Sequence, residues 1–125
     1  MKVFLDTNVL VSAVATRGLC ADVVRIALES HELVVSEDLL SEVERIFRDK
    51  LKVPENIISE YIVFIREVST IASPEAPVGA DISDAADAQL VSAALTGLAS
   101  FFVTGDVELQ RLKKIGGLEI GSPRA

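Results

Sequence analysis

Four acidic positions lie beside strongly apolar segments, where a charge is costly unless another group compensates it. In chain order they are Asp6, either Glu42 or Glu44, Asp87 and Asp106. Carboxylates without histidine or cysteine are the ligand set that suits Mg²⁺ or Mn²⁺. The chain therefore carries the donors for a divalent-cation site.

The remaining side chains argue against the other common catalytic chemistries. Cys20 is the only cysteine and His31 is the only histidine. No internal disulfide can form, and the usual Cys/His zinc site cannot be assembled. A Ser-His-Asp or Cys-His mechanism is equally disfavoured, because His31 lies in a polar stretch far in sequence from Cys20. Any catalysis must use the carboxylates.

Asp6 and Asp106 share one local setting, in which a short apolar run is followed by polar residues and then by a helical pattern. The runs Lys2–Leu5 and Phe101–Thr104 predict strands, so both acids follow strand ends. In open parallel sheets, ligands bind at the carboxyl edge of the strands. The alternative role of each acid is to cap the helix that follows it.

Helical periodicity places the other acids. On the predicted helix Glu37–Asp49, Glu42 and Glu44 lie on opposite borders of the apolar stripe, so periodicity does not choose between them. Asp87 falls in the apolar face of a later helix, within its first turn. Its alternative role is a capping pair with Asp84 as the N-cap, which explains Asp84 better than Asp87.

The elements that hold these acids alternate along the chain. Predicted strands are Lys2–Leu5, Leu33–Val35, Thr70–Ala72 (an edge strand), Phe101–Thr104 and Leu118–Ile120. Predicted helices are Val9–Val14, Ala21–Glu29, Glu37–Asp49, Pro54–Glu67, Asp84–Leu95 and Val107–Lys113. The longest predicted loop, Ser73–Ser83, contains Pro74, Pro77 and Gly79 and is expected to border the site. The alternation predicts one domain over residues 1–125, a three-layer α/β/α sandwich with a mostly parallel sheet of about five strands.

The charge balance limits how the chain can bind a polyanion. A net charge of −7 argues against coating nucleic acid through bulk electrostatics. Two basic clusters leave local binding open, although a solvated face is the alternative for each; they are Arg45/Arg48/Lys50/Lys52 and Arg111/Lys113/Lys114. No run approaches the roughly 18 apolar residues of a membrane span. The N-terminus also lacks a signal pattern, so we expect a soluble, cytoplasmic protein with no membrane partner.

Four segments together closely resemble the PIN-domain ribonucleases. They are FLDTNVL at 4–10, LLSEV at 39–43, DAADAQLVSAA at 84–94 and VTGD at 103–106. Their order, spacing and flanking apolar residues match over essentially the whole chain. The resemblance implies a PIN-like fold and a divalent-metal-dependent endoribonuclease, with Mg²⁺ or Mn²⁺ as cofactor and RNA as substrate.

The resemblance also implies which side chains form the site. The metal-binding and catalytic carboxylates it assigns are Asp6, Glu42, Asp87 and Asp106. It selects Glu42 over Glu44 and makes Asn8 and Thr104 supporting polar groups. Many relatives have a denser Asp-Pro-Asp-Asp segment where this chain has Asp84-Ala85-Ala86-Asp87, so Asp84 is the weaker candidate.

Small stand-alone members of this family are often toxins of toxin–antitoxin pairs. That role implies an antitoxin protein as partner and, commonly, a homodimer; the C-terminal segment Gly121–Ala125 is shorter than usual, which bears on dimerisation. The alternatives are a non-toxin RNA-processing nuclease and a catalytically silent RNA-binding module.

Two phosphate-handling domains of similar size carry different residues at the decisive positions. A receiver domain needs an Asp after its third strand and a Lys after its fifth, where this chain has Thr70–Ala72 and Gly121-Ser122. A phosphatase of the haloacid dehalogenase type wants an acid where Asn8 stands. Both are less favoured than the nuclease.

Overall fold

The computed structural model describes the backbone of residues 1–15, 19–76, 78 and 82–123, and the side chains of these residues except 15 and 19–22. Thr16–Gly18, which the sequence predicts to separate the first two helices, therefore lie outside the described residues. So do Pro77 and Gly79 of the predicted loop, the side chain of Cys20 and the last two residues of the chain.

Strands and helices alternate along the described chain, as expected. The strands are β1 (Lys2–Leu5), β2 (Glu32–Val35), β3 (Ser69–Ile71), β4 (Phe101–Val103), β5 (Lys114–Ile115) and β6 (Leu118–Gly121). The helices are α1 (Thr7–Ala15), α2 (Leu19–Ser30), α3 (Glu37–Arg45), α4 (Glu55–Val68), α5 (Ala85–Thr96) and α6 (Val107–Gln110), and a π-helical segment, Ile46–Lys50, continues α3. None of the described helices has the length and apolar character needed to cross a membrane.

The strands form one sheet in the order β3-β2-β1-β4-β6-β5. All neighbouring strands are parallel except β5 and β6. Phe4 in β1 pairs with Val34 on one side and with Phe102 on the other. The central strands are apolar and buried on both faces, as parallel strands covered by helices must be. The predicted α/β/α class with a mostly parallel sheet is confirmed, and β3 is an edge strand as predicted.

Aromatic stacking holds β1 against β4. Phe4 and Phe102 are fully buried, and their rings stack with centroids 5.2 Å apart. Burial of each phenylalanine contributes about 1.5–3 kcal/mol, and the stacked pair adds about 0.5–1.5 kcal/mol. The two strands therefore end side by side at one edge of the sheet.

The sheet has six strands, one more than the predicted number of about five. The predicted helix Val107–Lys113 ends earlier, at Gln110, and the chain then forms the two-residue strand β5. Gly116, at φ 58°, permits the tight turn that returns the chain antiparallel into β6. The pair Gly116-Gly117 is thus a hairpin turn and not a simple break between a helix and a strand.

The helix predicted over Glu37–Asp49 is regular only to Arg45. Beyond that residue the backbone hydrogen bonds follow the wider π-helical pattern, in which an N–H donates to the carbonyl oxygen five residues earlier. The Leu51 N–H, for example, donates to the Ile46 carbonyl oxygen. Lys52, at φ 53°, then adopts the left-handed conformation that commonly ends helices. The wide last turn keeps Phe47 buried against the ring of Tyr61.

Candidate active site

Asp6 lies at the carboxyl edge of the sheet, between β1 and β4. Its backbone N–H donates to the Val103 carbonyl oxygen at 2.9 Å, so it extends the pairing of the two strands by one residue. The helices that cover both faces of the central strands also enclose its side chain, which is only 7% exposed. The structure therefore holds this acid in a fixed place at the end of the strand.

Two donors orient the Asp6 carboxylate. The Thr7 backbone N–H donates to Oδ1 at 2.7 Å, and the hydroxyl of the fully buried Thr104 donates to Oδ2 at 2.6 Å. The same Thr104 oxygen accepts the backbone N–H of Asp106 at 3.0 Å. One hydroxyl thus connects the two strand-end acids predicted from the sequence.

Asp106 also performs the capping role that was its alternative. Its Oδ1 accepts the Glu108 N–H at 2.8 Å, which satisfies an amide in the first turn of α6. The side-chain amide of Gln110, at the end of that helix, donates to the Thr104 carbonyl oxygen at 2.7 Å. Helix α6 is thereby fastened to the strand end that carries Thr104.

Asp87 and Asp84 form the capping pair expected as the alternative role of Asp87. The Asp87 N–H donates to Asp84 Oδ1 at 3.0 Å, and Asp84 is the N-cap of α5. Asp84 is exposed, whereas Asp87 is half-buried and not enclosed in the apolar face as the periodicity predicts. Capping uses the backbone of Asp87, so its carboxylate is not committed by this bond.

The acids interact electrostatically around Asp87. Burial, followed by repulsion from Asp84, Asp6, Asp106 and Glu42, raises the pKa of Asp87 to about 6. Burial also raises the pKa of Asp6, against the hydrogen bonds from Thr104 and Thr7, and Asp106 adds to the rise. The carboxylates of Asp6, Glu42, Asp87 and Asp106 therefore share one electrostatic environment.

This repulsion predicts how stability depends on pH when a chelator removes divalent metal. Between the ordinary aspartate pKa of 3.8 and the folded value of about 6, folded Asp87 keeps a proton that the unfolded chain has lost. Stability should then fall as pH rises through this window, so the metal-free protein should melt at a higher temperature at about pH 4.5 than at about pH 7. Asp87→Asn should shrink that difference, while the exposed control Asp49→Asn should preserve it. Equal pH dependence in wild type and Asp87→Asn would contradict the assignment.

The geometry distinguishes the two glutamates that periodicity left equivalent. Glu42 is close enough to Asp87 to raise its pKa. Glu44 instead lies 3.9 Å from the guanidinium of Arg48. This placement supports Glu42 as the site residue.

Exchanging each glutamate separately tests that choice. We expect Glu42→Gln to lower metal-dependent cleavage at least about tenfold, because it weakens the cation site. Glu44→Gln loses only an exposed ion pair and should cleave like the wild type. Initial rates of RNA cleavage in Mn²⁺ measure both, and the opposite ranking would transfer the assignment to Glu44.

The supporting residues differ in their placement. Thr104 makes the bridging contacts described above. Asn8 is exposed, and the two hydrogen bonds described above to the Asp6 carboxylate come from Thr7 and Thr104 instead. A role for Asn8 beside Asp6 stays a prediction. The sequence did not assign Thr7 to the site, although the polar DTN triplet marks its position; its hydroxyl is buried with no partner in the described structure.

A cleft of about 400 Å³ opens beside these acids. Asp84, Asp87 and Asp106 line it together with Glu108 and Arg111. The sequence placed Arg111 only in a basic cluster and did not single out Glu108. Glu108 lies in α6 and Arg111 directly follows that helix, so both are close to Asp106 in the sequence.

The donor chemistry fits a hard divalent cation, because every candidate ligand is a carboxylate and two of them have raised pKa values. The side chains are spread out, however. Among the residues whose side chains the structure describes, no group of three or more acidic, histidine or cysteine side chains lies close enough to hold an ion. Binding would therefore require rotation of these side chains toward the cation.

The sequence model of the PIN domain matches residues 2–108 of this chain. The chain belongs to the PIN-domain family. All four candidate carboxylates fall within the matched PIN segment, whereas β5, β6 and Arg111 follow it. No curated protein sequence is significantly similar to the chain.

Solved structures share the PIN fold at low sequence identity. One similar chain comes from a structure of VapBC2 from Rickettsia felis bound to a DNA fragment from its promoter, with TM-score 0.68, 18% identity and 98% of each chain covered. Another comes from VapBC-1 of nontypeable Haemophilus influenzae, with TM-score 0.65, 19% identity and both chains covered completely. These likenesses concern the fold.

Proposed function

We propose that this PIN domain is a divalent-metal-dependent endoribonuclease that hydrolyses RNA phosphodiester bonds. The observation that carries the proposal is the common electrostatic environment of Asp6, Glu42, Asp87 and Asp106, in a chain that belongs to a nuclease family. Four mutually repelling carboxylates at a ligand-binding sheet edge are costly for the fold alone. A bound cation offsets that cost.

Asp6, Glu42, Asp87 and Asp106 would hold Mg²⁺ or Mn²⁺. When bound, the ion supplies charge neutralisation at the phosphate and activation of the attacking water. Asp6 contributes an oxygen already oriented by Thr7 and Thr104, which lowers the reorganisation needed on binding. Thr104 keeps Asp6 and the start of α6 in register, and Asp84 contributes a helix cap.

The test is cleavage of RNA by the purified protein. We expect a fluorescent single-stranded RNA to be cut internally in Mn²⁺ or Mg²⁺ and to stay intact with chelator, and DNA of the same sequence to be cut more slowly. Undiminished cleavage in chelator would overturn the metal proposal. RNA binding without cleavage would favour the catalytically silent RNA-binding alternative.

We further propose a biological role as the toxin of a toxin–antitoxin pair, acting in the cytoplasm as a homodimer restrained by an antitoxin protein. It is supported by the shared fold with chains from two VapBC structures, over nearly their whole length. Expression of the chain should arrest growth, and expression of Asp6→Asn should not. Co-expression of a short neighbouring reading frame should restore growth, and light scattering should give the mass of a dimer. Harmless expression of an active nuclease would instead favour a non-toxin RNA-processing enzyme.

A further inference from the structure

Among the described residues, one basic side chain lines the otherwise acidic cleft. Of the described residues that line it, Arg111 alone is basic, facing the same space as Asp84, Asp87, Asp106 and Glu108. An RNA strand approaching this cleft meets a protein of net charge −7, so a basic side chain on the cleft wall favours its binding. Arg111 is in the position to make that contact with a phosphate.

Glu108 forms only a weak ion pair with Arg111. Its Nη1 atom lies 3.2 Å from Glu108 Oε1, but the side chains are 70% and 80% exposed. Exposed pairs of this kind contribute little to stability, and the carboxylate can be exchanged for a phosphate. The planar guanidinium can donate two parallel hydrogen bonds to a phosphate, which lysine cannot.

Sheet topology keeps the two neighbouring lysines away from this edge. Strands β4 and β6 are parallel and end together, with Val103 opposite Gly121. Lys114 instead pairs with Glu119, which lies opposite Phe101 at the start of β4, and the Lys113 carbonyl oxygen accepts the Ile120 N–H at 2.9 Å. Arg111 is therefore the member of this basic cluster that lines the cleft.

The other basic cluster is less available. Its Arg48 donates two hydrogen bonds to Glu55, from Nε to Oε2 at 3.0 Å and from Nη2 to Oε1 at 2.7 Å, and also lies near Glu44. Arg48 therefore already has a bidentate carboxylate partner. The second cluster lies further along α3 and its π-helical continuation, beyond Glu42.

We infer that Arg111 binds a backbone phosphate of RNA next to the scissile bond. This inference rests on the proposed ribonuclease activity and specifies how that site takes its substrate. Arg111 is a substrate-binding residue in this scheme. Glu108 occupies its guanidinium until RNA arrives.

The first experiment compares Arg111→Gln with Arg25→Gln. Arg25 is a matched control, since it forms a similarly exposed pair with Glu29 at 3.7 Å on α2. In Mn²⁺, Arg111→Gln should raise KM for a single-stranded RNA about tenfold with little change in kcat, as the loss of one charged hydrogen bond to substrate predicts. Arg25→Gln should leave both constants at the wild-type values.

Salt dependence separates phosphate binding from a structural effect. With fluorescence anisotropy in chelator, the slope of log binding constant against log salt should fall by about 0.7 for Arg111→Gln and stay at the wild-type value for Arg25→Gln. A purely structural change would leave the slope intact. Thermal melts of each variant check that it is folded.

A double-mutant cycle tests the exchange with Glu108. Glu108→Gln should tighten RNA binding in the wild type, and that gain should shrink when Arg111 is already Gln. The same gain in both backgrounds would mean that Glu108 acts only through its charge and does not compete for Arg111.

The outcomes separate this inference from the proposed function. RNA cleavage with unchanged KM and salt slope in Arg111→Gln overturns the inference alone. Arg111-dependent RNA binding by a wild type that never cleaves overturns the nuclease proposal alone and leaves Arg111 as a phosphate-binding residue. A wild type that neither binds nor cleaves RNA overturns both.

Discussion

RNA cleavage should fall at least about a hundredfold when Asp6 is replaced by Asn, because loss of a direct ligand costs no less than the 10–100-fold of an outer-shell partner. Asn keeps the size of the side chain and an oxygen that can accept the Thr7 N–H. It removes the charge that would hold the cation and leaves Thr104 facing an amide. Single-turnover rates in saturating Mn²⁺ measure the loss.

The matched control for Asp6→Asn is Asp49→Asn, which removes the same charge from an exposed position on the π-helical segment. That control should cleave at the wild-type rate. Asp6→Asn should stay folded, because the raised pKa of Asp6 shows that the folded state disfavours its charge. Wild-type cleavage by a folded Asp6→Asn protein would remove Asp6 from the site.

Metal should stabilise the wild-type fold, and Asp106→Asn should abolish most of that effect. At a free Mn²⁺ concentration of 100 times Kd, the free energy of unfolding should rise by about 2.7 kcal/mol, which raises Tm by several degrees. In chelator, Asp106→Asn should be no less stable than the wild type, because Asn caps α6 nearly as well and relieves the repulsion on Asp6 and Asp87. Melts with chelator and with Mn²⁺ give both quantities.

Asp84→Asn is the control for capping, since Asp84 also caps a helix through a carboxylate oxygen. If Asp84 is only a cap, this variant should keep the metal shift and the activity that Asp106→Asn loses. An undiminished metal shift in Asp106→Asn would instead assign Asp106 to capping alone. Loss of the shift in both variants would add Asp84 to the ligands.

The sequence was sufficient to predict the order of strands and helices, because the buried strands are strongly apolar and the helices carry long apolar stripes. It was insufficient for β5, since two residues have no periodicity and the turn at Gly116 depends on pairing with β6. The early end of regular α-helix at Arg45 depends likewise on how Phe47 packs against Tyr61.

The candidate site also has features that the local sequence predicts and others that depend on tertiary packing. Asp6 and Asp106 are conspicuous locally, since each polar residue interrupts an apolar context at a strand end. The hydrogen bond from Thr104 to Asp6 that connects them joins residues 98 positions apart, so no local sequence pattern contains it. Glu42 and Glu44 are symmetric on their helix, and only the approach of α3 to Asp87 separates them. Arg111 follows the end of α6 and lines the cleft, whereas the sequence predicted a longer helix that contained it.

Both borders of the sheet are very short strands, with three residues in β3 and two in β5. Edge strands of this length expose few unpaired amides and carbonyls, so another chain has little backbone on which to extend the sheet. The protein should therefore resist amyloid-like aggregation even at high concentration. Large exposed apolar side chains such as Val63 and Phe64 lie instead on α4. Self-association should accordingly proceed through side-chain packing between helices, which is reversible on dilution.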